Sequence, residues 1–205
     1  MGTRLLFSFM TIVFVAISSC HKLCIPAQYD STGGVATISP DLDSVRVGDT
    51  LLFNSIILTE VRYSQGASDS GTYNLSGAKN VATDIHLTSP TGFNQQVGAV
   101  DSFLFLPKKG AIVTNELDPT AAKSISYVEE NGNYIFQLGI IAQKKGIYFF
   151  DVIDIYQAMK KCDKISVTVL LNNADNHLHY LKDIYYGGGA ISPIDSTHTY
   201  CFKVY

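Results

Sequence analysis

The sequence of this 205-residue chain predicts an all-β fold, an antiparallel sandwich, on three observations. Short apolar runs rich in Val, Ile, Tyr and Phe recur along it, and turn residues separate them. Several of the runs alternate apolar and polar residues with period two, as a half-buried strand requires. Helical periodicity is confined to two short stretches, and no repeat of fixed length is present.

Residues 1–19 stand apart from that pattern. Arg4 is their only charge, and Leu5 to Ile17 runs almost without a polar break. A basic start followed by a short apolar run reads as a secretory signal peptide. Thirteen residues at about 1.5 Å each span roughly 20 Å, short of the ~30 Å hydrocarbon core of a bilayer. The run ends in Ile17-Ser18-Ser19-Cys20, which resembles the lipobox of bacterial lipoproteins. That resemblance implies a diacylglycerol on Cys20, cleavage before it and acylation of the new N-terminus. More than one acyl chain holds a protein firmly at a membrane, where a single chain holds it only marginally.

Residues 20–34 mix Gly, Pro and polar residues without period and read as a lipidated N-terminus with a flexible tether. The domain is expected from Val35 to Tyr205. Val45 and Val47 alternate, Gly48-Asp49 makes a turn, and Leu51 to Leu58 is rich in strand formers. Val81 to Leu87 is a weaker strand, closed by Ser89-Pro90-Thr91-Gly92, and Val100 to Leu106 is a further strand stopped by Pro107. Tyr134, Phe136, Leu138 and Ile140 alternate with Ile135, Gln137, Gly139 and Ile141, so that strand is expected to be buried on much of both faces. Lys144-Lys145-Gly146 then predicts a tight turn into Ile147 to Ile153, making 134–153 a hairpin. Ile165, Val167, Val169 and Leu171 mark a half-buried strand, and Tyr200 to Tyr205 closes the chain. Two short helices are expected, one through Met159 capped by Asp154 and one over 177–185.

The run VRVGDTLLF from Val45 to Phe53 resembles the early strands of immunoglobulin-like domains in bacterial surface and periplasmic proteins. It implies an Ig-like sandwich, although the chain has no Trp for the core position that antibody-type domains fill. With the lipobox and the closing Tyr-Cys-Phe-Lys-Val-Tyr strand, the chain looks like the small envelope lipoproteins of Gram-negative bacteria. The resemblance implies location and fold, and no activity. No acidic run follows Cys20 (His21-Lys22-Leu23-Cys24), which favours an outer-membrane protein facing the periplasm.

The formal net charge is −3, and −4 without residues 1–19, with Lys108-Lys109, Lys144-Lys145 and Lys160-Lys161 scattered among acids. A nucleic-acid binder would gather such charges into a patch, so no nucleic-acid partner is expected. Cys20 aside, Cys24, Cys162 and Cys201 remain. An odd number leaves one thiol over. Cys162–Cys201 is the favoured disulfide, worth about 4 kcal/mol in the chain-entropy view; a bridge from Cys24 to either is the alternative.

His177 and His179 are the best metal candidates, with Asp175, His198 and His86 as completions. Side chains two apart share a face only in a strand; on a helix they stand about 200° apart. The helical reading of 177–185 therefore argues against a shared ion, and no metal or cofactor is expected. Ser76-Gly77-Ala78-Lys79 has the spacing of a penicillin-binding-type nucleophile but falls in a loop and lacks companion motifs. Glu129-Glu130 flank the Asn131-Gly132 turn, Gly187-Gly188-Gly189 is a loop, and Tyr156, Tyr180, Tyr185 and Tyr186 serve either packing or contact. The expected function is that of a lipid-anchored, non-catalytic module in the cell envelope, with the membrane and a protein or glycan as partners. The alternative is an envelope enzyme acting on glycans or peptides.

Overall fold

The computed structural model describes residues 28–65, 69–113, 119–153, 155–160 and 163–205. The leader, Cys20, Cys24 and Cys162 lie outside the described residues. Two sheets face each other. The first runs in the order β10 (Val128–Glu130), β11 (Asn133–Ala142), β3 (Thr50–Gln65), β1 (Gln28–Ser39), β14 (Asp163–Leu171), β13 (Ile155–Lys160). On it, β4 (Asp69–Asn74) also pairs with β3, and β7 (Phe103–Lys109) with β11. The second runs β2 (Ser44–Val45), β15 (Thr199–Val204), β12 (Gly146–Val152), β5 (Ala82–Gly92), β9 (Ala122–Ser126), β8 (Ala111–Val113), with β6 (Gln95–Gly98) on β5. The expected sandwich is therefore present, but it is not wholly antiparallel: β1 pairs β14, and β2 pairs β15, in parallel.

Period-two burial makes the core. Phe53 of β3, Phe136 and Leu138 of β11, and Val167 and Val169 of β14 meet Phe150 of β12, Tyr200 and Phe202 of β15, and Ile85 and Leu87 of β5. Phe53 and Phe150, one from each sheet, stand 5.0 Å apart between ring centroids and are both fully buried. Their tilted rings avoid the face-to-face stack that the aromatic quadrupole disfavours.

Several elements differ from the reading of the sequence, each for a local reason. Residues 134–153 are an arch rather than a hairpin: β11 lies in the first sheet and β12 in the second. Tyr148 closes the arch by donating its hydroxyl hydrogen to the Lys144 carbonyl at 3.0 Å. Turn residues between two apolar runs do not tell a hairpin from an arch, since both place their apolar positions on the core. The outward residues of β11 (Ile135, Gln137, Ile141) are only half-buried, so that strand is covered on one face.

The helix expected after Asp154 is absent, and 155–160 forms strand β13. Its register jumps, with Ile155 opposite Val167 and Ala158 opposite Ile165. Three steps on one strand match two on the other, so a β-bulge has the spacing of a helix turn. Residues 28–34, read as tether, are already sheet. Gly34 permits this, because a Cβ there would come within 2.7 Å of Val169 Cγ2 and 2.9 Å of the Thr168 carbonyl oxygen. β5 continues through Pro90 to Gly92, where its pairing with β12 has ended at Thr88 and only β6 lies alongside. There a proline removes no ladder bond on the open side. Val100–Ser102 is a 3-10 turn, and β7 passes Pro107 by a bulge against β11.

Three further readings of turns and strands hold. Gly48 sits at φ 91 in a turn closed by the Asp49 amide on the Arg46 carbonyl. Asn131 and Gly132, at φ 51 and 74, make the hairpin joining β10 and β11. β14 and the closing strand β15 stand where the alternation puts them.

Candidate functional site

The chain between β14 and β15 travels over the outer face of the second sheet. It carries the π-turn Leu181–Tyr185 and α1 (Pro193–His198), which Ser192 caps by accepting from the Ile194 amide. Leu181 packs with Phe149 and Cys201 in a second apolar cluster, which Leu178, Tyr180, Tyr185, Tyr186 and Ile191 roof over. Tyr180, Tyr185 and Tyr186 are therefore packing residues, and Tyr156 lies outside the described side chains. Cys201 is a buried free thiol, which burial pushes well above the usual thiol range. Its expected partner Cys162 falls outside the described residues.

The start of this segment gathers the titratable groups. Asn173 imitates a strand residue, accepting from the Ile38 amide at 3.0 Å and donating to the Ile38 carbonyl at 2.7 Å. Asp41 Oδ2 accepts the amides of Ala174 at 3.0 Å and Asp175 at 3.2 Å, and Asp175 Oδ1 accepts that of His177 at 2.7 Å. That last bond is an Asx turn, and it supports His177 at φ 52, a conformation few non-glycine residues adopt. The His177 ring, 8% exposed, lies edge-on to Tyr200 with centroids 5.3 Å apart. Its Nε2 is 3.2 Å from Asp41 Oδ1, and its Nδ1 is 3.4 Å from Asp175 Oδ2. Asp41 Oδ1 and His177 Nε2 are both buried, and neither has a hydrogen-bond partner among the described residues. Tyr200 completes the corner, accepting the Leu42 amide and donating to the Leu42 carbonyl.

The two candidate histidines do not converge. His177 faces Asp41 and Asp175, whereas His179 begins a helical turn and reaches Asp43 at 3.5 Å. His86 stands on β5 opposite Asp151, and His198 turns its Nδ1 to the Ile194 carbonyl at 2.9 Å. Among the described residues no three His, Cys, Asp or Glu side chains are grouped to hold an ion. The cluster ties the segment after β14 to the loop after β1. Its components were visible in the sequence as Asp175, His177 and His179, but Asp41, more than 130 residues away, was not.

The Ser76 hydroxyl donates to Glu129 Oε1 at 2.8 Å, and the Gly77 amide to Glu129 Oε2 at 2.9 Å. Ser76 is thus a loop tie, and Tyr134 makes another from beneath. The Tyr134 hydroxyl donates to the Leu75 carbonyl and accepts the Ala78 amide, each at 2.8 Å. Burial pushes its pKa up to about 12. A cleft of about 580 Å³ opens between Pro90, Ile147, Ile184 and Val204, with Lys145 and Lys203 at its lip. Among the described residues no acid or histidine side chain lines it.

The Asp151 carboxyl is displaced upward, to about 6. Burial under the segment before β15 is the main cause and nearby Asp195 adds to it, while the Thr199 hydroxyl, donating to Asp151 Oδ1, opposes it. The folded carboxyl therefore holds its proton more tightly than the unfolded one. The stability this confers is complete below about pH 4 and is lost as the pH rises through about 6. Asp151→Asn keeps an acceptor for Thr199 and removes the charge. We expect it to be more stable than the parent at pH 8, by about 2 kcal/mol. Urea unfolding at pH 8 and pH 3.5 checks this; a gain that persists undiminished at pH 3.5 refutes the assignment.

No protein-family model and no curated protein matches the sequence. Two crystal structures of the human F-spondin reeler domain are similar in outline. Their TM-scores are 0.35 and 0.36, at 9% and 11% identity. They cover 70% and 71% of this chain and 87% and 97% of their own. At that TM-score the likeness carries no argument about function.

Proposed function

We propose that this chain is a lipid-anchored protein of the bacterial cell envelope, modified on Cys20, whose Ig-like sandwich is a non-catalytic binding or structural module. One observation carries the reading: Cys20 closes the apolar leader eight residues before β1 begins at Gln28. Eight residues reach at most about 28 Å, so the anchor holds the sandwich against the membrane surface. The absence of an acidic run after Cys20 supports a periplasm-facing position in the outer membrane. The non-catalytic part rests on how the titratable groups are used. Asp41 and Asp175 accept backbone amides, and Glu129 accepts from a loop.

The test is the intact mass of the membrane-fraction protein beside that of Cys20→Ala. The expected mass is that of residues 20–205 plus acyl chains, lost in the variant. An unacylated mass with cleavage elsewhere would sink the anchor.

A further inference from the structure

The outer face of the first sheet carries a line of apolar residues that the core does not use. Leu170 on β14 pairs with Val35 on β1, Val35 with Ile56 on β3, Ile56 with Ile135 on β11, and Ile135 with Val128 on β10. Five neighbouring strands thus present one unbroken apolar row. Leu170, Val35, Ile56 and Val128 are 41, 44, 37 and 42% exposed. Leu58, 52% exposed, flanks the row on one side. Beyond it on the other lie Leu52, Leu106, Ile141 and Leu104, joined through the pairings of β3, β11 and β7. Between the two apolar bands, Gln137 donates to Asn54 at 3.1 Å, so the polar pair there is already satisfied.

Charge is absent from the middle of this face. Residues 34–39, 50–58, 133–142 and 165–171, which supply its four central strands, contain no Asp, Glu, Lys or Arg. The nearest ion pair, Lys109 with Glu130, sits at the rim. Five strands about 4.8 Å apart and about eight residues of ~3.4 Å give roughly 650 Å², near the ~800 Å² each partner contributes to a standard interface.

We propose that this face is the interface of a homodimer, in which a second copy of the chain packs its first sheet on this one. A two-fold interface sets each patch against its own copy, so any net charge on the patch repels itself. An uncharged, aliphatic patch is suited to that arrangement. A bilayer surface would call for cations and interfacial aromatics, and the centre of this face has neither. An added peptide strand would need a sheet edge rather than a sheet face.

The test is photo-cross-linking in cells expressing the whole chain, with a benzophenone amino acid in place of Ile135, and two differently tagged copies. The expected product has twice the monomer mass and carries both tags. The same probe at Val97, 51% exposed on β6 of the other sheet, should give none. Ile56→Lys should reduce the product at least tenfold. Leu58→Lys, at the more exposed flank, serves if Ile56→Lys does not fold. No cross-link from Ile135, a product of a different mass, a lipid adduct, or a dimer undiminished by a folded lysine variant overturns the proposal.

Discussion

Phe150→Ala is expected to cost about 4 kcal/mol, as is Phe53→Ala, out of a total stability on the order of 10 kcal/mol. The two rings come from opposite sheets and meet at the centre of the core, both fully buried. Phe136 extends the group at 6.2 Å from Phe53. Neither backbone can close on the void, because each strand is held on both sides: β3 by β1 and β11, β12 by β15 and β5. Removing either ring therefore loses its transfer energy and leaves a cavity as well. The double variant should cost less than the sum by about 1 kcal/mol, since the first substitution has already broken the ring–ring contact. Urea unfolding midpoints at constant m-value measure all three. Additive costs would mean that the rings do not interact.

Asp41→Ala is expected to cost about 3 kcal/mol. It strips the acceptor from the amides of Ala174 and Asp175 and leaves the buried His177 ring without the carboxylate on its Nε2 side. Asp41→Asn retains an acceptor and should cost roughly half as much. The damage should be local. Amide exchange is expected to quicken at Ala174, Asp175 and His177 while the amides of β3 and β11 keep their protection. Equal acceleration throughout would show that Asp41 supports the whole sandwich rather than this corner.

The sandwich was legible because its inward positions repeat with period two, most clearly in β14 and in the Tyr134, Phe136, Leu138, Ile140 series. Much of what was not legible has one physical cause. Alternation states which side of a strand is buried, not which sheet the strand joins. Hence 134–153 looked like a hairpin and proved an arch, and the parallel pairings of β1 with β14 and β2 with β15 left no local mark. Bulges mislead in another way, since Ile155 and Ala158 at helical spacing occupy alternate places on a strand. The outward aliphatics of β11 read as a second buried face because the sequence does not say whether another layer lies above them. At the site, His177 and His179 part for a reason other than the helical one, since His177 stands at φ 52 ahead of the turn that His179 begins. The partners Asp41 and Asp43 come from a distant loop that nothing near residue 177 announces.

The parallel pairings also bear on how the chain reaches its fold. β1 is held between β3 and β14, whose partner residues Gln28 and Lys164 lie far apart in the sequence, and β2 pairs only with the last strand, Ser44 beside Lys203. A ribosome must therefore deliver nearly the whole chain before either sheet can be completed. Loop closure over such distances makes folding slow. Under the export proposed above the delay would be useful, because a polypeptide threading through a translocation channel has to arrive on the far side before its first strand finds its last neighbour.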